Sequence, residues 1–256
     1  MNEKIYGKDF AAVYNEKWSF WAVKMWPFLR DTVKKRAPHA KSWLDLCCGT
    51  GTLLQRITRR RFEGTGVDVS KHQLRHARRN APGARFVASD IRTLALDETF
   101  DVMTCMFDSL NYLTRSSDLL KAFRVARRHL AEDGVFVFDM NTYEGLEDSW
   151  CQTRAMEEPG RTIIVETSFQ PRRALGRCLI TGFTKRGAFY TKFQEEHVQR
   201  AYRAREIEDL LARAGFSFRK YDGYSLGRPR KRSGRLLYVC ERAQPQARRR
   251  RKRTKK

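Results

Sequence analysis

The chain has 256 residues, which is enough for one α/β domain with a sizeable core but short for two independent domains. Hydrophobic residues make up 41% and aromatic residues 12%, so the composition excludes an intrinsically disordered chain. The formal net charge of +23 admits nucleic acid or another polyanion as a partner, whereas no stretch approaches the roughly 18 apolar residues that cross a bilayer.

The first residues lack the basic start and apolar core of a signal peptide, and the six cysteines form no Cys-x-x-Cys pair. We therefore expect a cytoplasmic protein with no membrane contact and no disulfide framework. We also expect no metal site, because His72 and His76 stand four residues apart without the glutamate that would accompany metal-binding histidines.

Helical spacing of apolar residues opens the chain, at residues 9–17 and 19–35. These two stretches share a set of aromatic side chains: Phe10, Tyr14, Trp18, Trp21 and Trp26.

From residue 41, β-type runs alternate with helical stretches, which is typical of a parallel sheet wound with helices. The five predicted strands cover residues 42–47, 64–69, 84–88, 100–107 and 134–140. The helical stretches between them cover residues 52–61, 71–80 and 116–131.

Beyond Met140 the pattern changes to three strand-like segments, at residues 162–169, 177–183 and 188–197, separated by turn signals. They predict a small antiparallel insertion at about residues 145–200. An amphipathic helix at 203–214 and two last strands at 216–221 and 236–241 follow. The predicted fold is α/β: a Rossmann-like, seven-stranded, mostly parallel sheet with helices on both faces and an antiparallel insertion after strand five.

The positive charge is concentrated at the end of the chain, where residues 248–256 hold eight basic side chains in nine positions. Such a run repels itself and has nothing to bury, so we predict a disordered basic tail over residues 244–256. The main domain is then expected to span residues 41–243. The tail is a candidate for nonspecific contact with RNA or another polyanion.

The strongest motif is Asp45-Leu46-Cys47-Cys48-Gly49-Thr50-Gly51, which joins the first predicted strand to a helix. Glycines let the backbone approach a ligand closely, and the start of a helix presents free N–H groups. Asp68 and Asp90 end the second and third strands, and Asp108 follows the fourth. This arrangement indicates a nucleoside-type cofactor at the carboxyl edge of the sheet.

At these residues the sequence resembles the class I S-adenosylmethionine-dependent methyltransferases, over about residues 40–242. The layout looks most similar to the sugar-amine N,N-dimethyltransferases and the glycine or sarcosine N-methyltransferases. The resemblance implies an enzyme with S-adenosylmethionine as cofactor, with Asp45, Gly49 and Gly51 around its methionine part, Asp68 on its ribose and Asp90 at its adenine. The remaining cofactor residues expected from the same segments are Trp18, Cys47, Thr50, Val69, Ile91 and Met106.

Two further expectations come from this resemblance. The family usually has glycine where this chain has Cys47, so we expect a differently shaped backbone there. In these relatives an aromatic N-terminal segment folds over the cofactor, which implies a helical lid over residues 1–40 with Tyr14 covering the sulfonium.

Methyl transfer from a sulfonium needs mainly alignment and a deprotonated nucleophile. We expect a small-molecule acceptor between the end of strand four and the insertion. We predict that His197 accepts the proton, because histidine titrates near neutral pH, with Asp108 and Tyr14 as the other catalytic residues. Further candidates to hold the acceptor are Asn111, Tyr112, Asn141, Glu195 and Tyr202. The sequence leaves open the acceptor atom and the oligomeric state.

Three other functions share parts of this pattern. A nicotinamide oxidoreductase is disfavoured because its third glycine would fall at Leu54 and the chain has no Tyr-x-x-x-Lys pair. A nucleic-acid methyltransferase using the basic surface and tail stays open as the alternative, although no Pro-Pro-Tyr follows Asp108. A non-catalytic binding module with the same fold also stays open.

Overall fold

The computed structural model describes residues 5–244, which fold into a large sheet covered by helices and a small antiparallel sheet. The helices are α1 (Lys8–Lys17), α2 (Phe20–Arg36), α3 (Thr52–Thr58), α4 (Lys71–Asn80), α5 (Ser116–His129), α6 (Tyr143–Ser149) and α7 (Ala204–Arg213). The strands are β1 (Ser42–Leu46), β2 (Glu63–Asp68), β3 (Arg85–Ala88), β4 (Phe100–Cys105), β5 (Leu130–Asn141), β6 (Thr153–Glu158), β7 (Arg161–Gln170), β8 (Leu175–Arg186), β9 (Phe189–Arg200), β10 (Phe216–Asp222) and β11 (Arg235–Arg242).

The large sheet has the strand order β10-β11-β5-β4-β1-β2-β3. Strands β1 to β5 pair in parallel, whereas β11 runs antiparallel to both of its neighbours. Strands β2 and β3 follow β1 on one side of the sheet, and β5 follows β4 on the other side. The strand order therefore reverses between β1 and β4, and a crevice opens beyond the carboxyl ends of these two strands. This confirms the predicted Rossmann-like sheet and places the glycine turn and Asp108 at one edge.

Successive side chains along a strand point to opposite faces of the large sheet, so the hydrophobic core has one part on each face. Trp43 packs with α2, α3 and α4, whereas the next residue, Leu44, packs with α5 and α7. Both side chains are fully buried, as expected for a strand covered on both faces. The sheet is therefore a rigid base from which the strand ends project.

Several boundaries differ from those predicted, each for a local reason. Strand β4 ends at Cys105 because Phe107 and Asp108 take left-handed backbone angles, with φ of 63° and 49°. Helix α3 ends at Thr58, and Arg61 with φ of 66° turns the chain toward β2. Strand β5 begins at Leu130, before the expected Asp133-Gly134 turn, and a register shift against β4 accommodates the extra residues.

The small sheet contains four strands in the order β6-β7-β8-β9, one more than the three strand-like segments in the sequence. Strand β6 was missed because all six of its side chains are exposed, so it carries no alternation of apolar and polar residues. One face of this sheet packs on α1 through Phe10, Val13, Ile163 and Ile180. The insertion thereby lies over the crevice of the large sheet.

Within residues 5–244 no helix has both the length and the apolar character needed to cross a membrane. The predicted tail lies almost wholly outside the described residues.

Candidate active site

The glycine turn after β1 has three residues in the left-handed region, with φ of 55° at Cys47, 54° at Gly49 and 74° at Gly51. Cys47 therefore adopts a backbone conformation that glycine favours, and the expected difference in shape from the family stays a prediction. A side chain at Gly51 would lie 3.0 Å from the backbone of Ala77, so glycine is required for the close approach of α4.

Asp68 links the end of β2 to this turn. Its carboxylate accepts hydrogen bonds from the backbone N–H of Gly49 at 2.9 Å and of Ser70 at 2.8 Å. Burial raises the pKa of Asp68, and these backbone hydrogen bonds offset the effect only in part. Each carboxylate oxygen retains a further lone pair, which leaves room for donors such as ribose hydroxyls.

Asp45 lies one strand away and is also buried. The hydroxyl of Thr104 on β4 donates to its carboxylate at 2.6 Å and accepts from the indole N–H of Trp43 at 3.0 Å. Burial raises the pKa of Asp45 to about 7, although the hydrogen bond from Thr104 opposes this change.

Most of the predicted cofactor residues line two small, adjacent cavities beneath α1, whereas Gly51 lines neither. Asp45, Cys47, Gly49, Thr50 and Met106 line one of about 50 Å³, which Tyr14 and Trp18 close from above. Asp68 and Val69 line the other, of about 30 Å³. The glycine cradle and the strand-end carboxylates match what S-adenosylmethionine requires, namely close backbone approach and acceptors for ribose hydroxyls.

Asp90 and Ile91 line neither cavity in this conformation. Ile91 is buried in the core, and Asp90 accepts hydrogen bonds from the backbone and side chain of Arg92. Burial alone would raise the pKa of Asp90, but the hydrogen bonds from Arg92 hold it well below its usual range. The adenine role of this pair stays a prediction.

A larger cavity of about 250 Å³ lies between the large sheet and the insertion, and we call it the acceptor cavity. Six aromatic side chains form much of its wall: Tyr6, Phe10, Tyr14, Trp18, Phe107 and Tyr112. Its polar residues include Asp108, Asn141, His197, Gln199 and Arg235. The structure therefore brings the three predicted catalytic residues, His197, Asp108 and Tyr14, to one cavity.

A buried cluster of two carboxylates and one guanidinium lies at the floor of the acceptor cavity, which Asp108 and Arg235 line and behind which Asp139 is buried. Arg235 donates to Asp108 at 2.5 Å and also to Asp139, and its guanidinium lies 4.6 Å from the ring centre of Trp21. Burial by itself would lower the pKa of Arg235, but the two carboxylates outweigh burial and raise it. Burial raises the pKa of Asp139, although the guanidinium of Arg235 opposes this change.

Sequence reasoning missed Arg235 and Asp139. Asp139 lies in the apolar run 134–140, and Arg235 directly precedes the apolar run 236–240. Buried charges of this kind are rare unless they are paired. The two strands are antiparallel neighbours, with Arg235 opposite Asn141 and Leu237 opposite Asp139. A charged residue inside each of two buried strands was the available signal, but only the pairing of the strands joins them.

A hydrogen-bonded series extends from this cluster into the cavity. Gln199 donates to Asp108 at 2.5 Å and accepts from the side-chain amide of Asn141 at 3.0 Å. Because an ionised carboxylate only accepts, the NH₂ group of Gln199 must face Asp108, and its oxygen must face Asn141. The side-chain oxygen of Asn141 then remains an acceptor at the wall of the cavity.

His197 is almost wholly buried, and its two ring nitrogens have different surroundings. Nδ1 lies 3.1 Å from the hydroxyl of Tyr112, which in turn lies 3.1 Å from the hydroxyl of Tyr6. Nε2 has no hydrogen-bond partner among residues 5–244, and lies 3.4 Å from a carboxylate oxygen of Glu195 without hydrogen-bond geometry. Both ring nitrogens of His197 are therefore enclosed by other residues in this conformation, and its role as the base stays a prediction.

Three other candidates from the sequence have structural contacts instead. Glu195 accepts hydrogen bonds from the backbone of Tyr6 and Gly7. Asn111 donates to the backbone oxygens of Asn141 and Arg200, and the hydroxyl of Tyr202 donates to that of Leu113.

Residues 44–134 match a family model described as a methyltransferase domain. The dTDP-3-amino-3,4,6-trideoxy-alpha-D-glucopyranose N,N-dimethyltransferase of Streptomyces venezuelae is 28% identical to this chain, over 87% of this chain and 90% of that protein.

Two solved structures have the same fold over almost their whole length. An S-adenosylmethionine-dependent methyltransferase from Clostridium acetobutylicum ATCC 824 has a TM-score of 0.79 and 28% identity, covering 92% of this chain and 98% of that one. The SAM-bound CalS10, an amino pentose methyltransferase from Micromonospora echinaspora, has a TM-score of 0.72 and 25% identity, covering 95% of this chain and 100% of that one.

Proposed function

We propose that this chain, which belongs to the S-adenosylmethionine-dependent methyltransferases, methylates the nitrogen of a small-molecule amine. The observation that carries the proposal is the acceptor cavity, where aromatic rings surround a buried cluster of two carboxylates and one guanidinium. Aromatic faces and carboxylates both attract ammonium groups, so an amine enters this cavity more favourably than an anion does.

When bound, S-adenosylmethionine supplies a methyl group on a sulfonium, which departs as a neutral thioether. The glycine turn and Asp68 are the residues we assign to holding it, and Tyr14 on α1 and Trp18 directly after α1 cover it. Their aromatic side chains exclude water from the reacting centre.

We assign orientation of the acceptor to Asn141 and removal of its proton to His197. The free oxygen of Asn141 accepts a hydrogen bond from an amine N–H, which directs the nitrogen lone pair away from Asn141. Asp108 supports this indirectly, since it determines which way Gln199 and therefore Asn141 face. We assign the proton to Nε2 of His197, which is buried in this conformation and must become accessible when the acceptor binds. Tyr112, bonded to Nδ1, keeps the ring in place.

An amino sugar is the class of acceptor that we propose. The Streptomyces venezuelae relative is named for an amino sugar carried on dTDP, and CalS10 is described as an amino pentose methyltransferase. The polar groups of the acceptor cavity, including Asn141 and Gln199, are suited to the hydroxyls of a sugar ring. Neither the fold nor the similar proteins favour the nucleic-acid alternative.

The test is an acceptor screen on the full chain. Mass spectrometry should detect one or two added methyl groups on dTDP-linked amino sugars, and none on matched sugars that carry a hydroxyl in place of the amine. Methylation of the hydroxyl sugars, or of RNA alone, would contradict the proposal.

His197→Asn, assayed with an accepted amine, should reduce turnover by about 100-fold to 10,000-fold, the usual contribution of a positioned base. The loss should diminish at high pH, where the amine arrives already deprotonated. Turnover within a few-fold of the parent and an unchanged pH profile would remove the base role.

We also propose a cytoplasmic location, since all six cysteines are free thiols, as in proteins of a reducing compartment.

A further inference from the structure

Glu195, on β9 of the insertion, contacts the segment that covers the cofactor residues. One carboxylate oxygen accepts the backbone N–H of Tyr6 at 2.7 Å, and the other accepts that of Gly7 at 2.7 Å. We call residues 5–18 the lid segment. Hydrogen bonds to an ionised acceptor are about twice as strong as neutral ones, so this is a firm attachment between two parts of the chain that are distant in sequence.

The lid segment must move for the cofactor to enter or leave. The two cavities at the glycine turn and Asp68 measure about 50 and 30 Å³. Sites for ligands of the size of S-adenosylmethionine usually measure about 300–1,000 Å³. Tyr14 and Trp18, both on the lid segment, form the roof of the first cavity. The present conformation is therefore closed, and opening it requires displacement of this roof.

Two features show that the lid segment is held against Glu195 under constraint. Tyr6 has φ of 59°, an unfavourable angle for a residue other than glycine, which persists only where surrounding contacts enforce it. A side chain at Gly7 would lie 3.1 Å from the Glu195 carboxylate, so a glycine there permits the close approach. Breaking the carboxylate contacts would release the strain at Tyr6 and favour opening.

The other polar attachments of the lid segment are hydrogen bonds between neutral groups or ion pairs near the surface. The side-chain amide of Asn80 donates to Asn15 at 2.6 Å, and the hydroxyls of Tyr6 and Tyr112 lie 3.1 Å apart. The hydroxyl of Ser70 donates to the backbone oxygen of Tyr6 at 2.9 Å, which is a bond between neutral groups. The ion pairs Lys17–Glu158 and Glu16–Arg161 are largely exposed, where ion pairs contribute little. Glu195 is the buried charged group among these attachments, with its side chain 10% exposed.

We infer that Glu195 is a positioning residue that latches the lid segment shut, and that release of its two backbone hydrogen bonds controls exchange of the cofactor and its product. The same latch completes the acceptor cavity, because it places the rings of Tyr6 and Phe10 each 5.1 Å from that of His197. The inference needs only the binding of the cofactor and does not depend on the identity of the acceptor.

The test compares Glu195→Gln with Glu196→Gln in the full chain. Glutamine keeps the shape of Glu195 but loses its charge and can accept only one of the two N–H groups. Glu196 is next on the same strand, and it is exposed and paired with Arg177. Gly7→Ala changes the lid segment instead of β9, and its methyl group would crowd the Glu195 carboxylate.

The deciding measurement is the dissociation rate of radiolabelled S-adenosylhomocysteine, chased with unlabelled compound. We expect Glu195→Gln and Gly7→Ala to release it at least tenfold faster than the parent, and Glu196→Gln to stay within twofold. Circular dichroism checks that each variant is folded. If Glu195→Gln does not fold, Gly7→Ala decides the matter. Rates within twofold of the parent in the folded variants would overturn the inference.

Discussion

The carboxylate of Asp68 accepts hydrogen bonds from two backbone N–H groups of its own chain. In the proposed function it also accepts hydrogen bonds from the ribose of the cofactor. Its backbone hydrogen bonds hold the carboxylate at the turn whether or not a ribose is present. The pKa of this acid is raised by burial, so further donors that favour the ionised form should bind well.

Asp68→Ala should therefore weaken the binding of S-adenosylhomocysteine by about 1.5–3 kcal/mol, the range for a hydrogen bond to a charged group. Titration calorimetry measures the change directly. The exposed Asp97 provides a control of the same charge, and Asp97→Ala should bind like the parent. An unchanged affinity for Asp68→Ala would remove this residue from the cofactor site.

Asp45 should make the unligated protein less stable as the pH rises. Burial raises its pKa from 3.8 to about 7, so between these values the folded state binds more protons than the unfolded state. The free energy of unfolding must then fall as pH increases through this window. At pH 7 and above the loss is on the order of 4 kcal/mol, at 1.36 kcal/mol for each unit of pKa.

Asp45→Asn keeps an oxygen for the Thr104 hydroxyl and removes the charge. The free energy of unfolding of this variant should therefore exceed that of the parent by an amount that grows from pH 4 to pH 7. Denaturant unfolding at several pH values measures it. Asp101→Asn is the control with the opposite sign, because hydrogen bonds lower the pKa of Asp101 in spite of burial. That variant should lose stability relative to the parent, and the loss should shrink as pH falls. If the free energies of unfolding of Asp45→Asn and the parent differ by the same amount at every pH, the raised pKa of Asp45 is contradicted.

At the scale of elements, the insertion matters because β9 carries both Glu195 and His197. Gly182 on β8 lies opposite Phe193 on β9, and a side chain at Gly182 would overlap the Phe193 ring. That ring lies 6.2 Å from Phe10 of the lid segment. The absent side chain at Gly182 thus makes room for a contact between β9 and the lid segment.

Gly182→Val should lower the free energy of unfolding by about 1–3 kcal/mol, as is usual when a packed site is overfilled. Methyl transfer should fall more than cofactor affinity, because the displaced strand belongs to the acceptor cavity. Gly187→Asn is the control, since Gly187 has φ of 63° and open space around it, and asparagine tolerates that angle. Its stability should stay within about 0.5 kcal/mol of the parent. Equal melting temperatures for all three proteins would contradict this account.

At the scale of the whole molecule, the basic charge is not part of the candidate site. In the acceptor cavity the guanidinium of Arg235 is paired with the carboxylates of Asp108 and Asp139, although the chain carries +23 overall. Eight of the basic residues belong to residues 248–256, which are outside the described part. The tail and the catalytic centre are therefore expected to act separately.

Deletion of residues 248–256 should leave the melting temperature and methyl transfer to a small amine unchanged. Retention on RNA should weaken, and its dependence on salt should become shallower, because fewer phosphates are neutralised. Replacement of the exposed Arg59 and Arg60 by alanine removes charge from the domain surface and provides a comparison. A large loss of activity or stability after the deletion would show that the tail docks on the domain.

Local sequence patterns were enough to predict the fold class and the cofactor edge of the sheet. Strand-type runs, the glycine turn and the acids at strand ends depend on residues a few positions apart, so Asp45, Gly49 and Asp68 were recognisable without coordinates. Strand β6 was not, because its side chains are all exposed and leave no periodic signal.

Only the tertiary structure decided which distant residues meet. Asp108 and Arg235 are 127 positions apart, and Tyr6 and Glu195 are 189 apart. The sequence presented Glu195 as a candidate to hold the acceptor, and the fold gives its carboxylate to the backbone of the lid segment instead. Such pairs depend on which strands become neighbours and which segment lies over them, and that is determined by burial of the whole core rather than by any local preference.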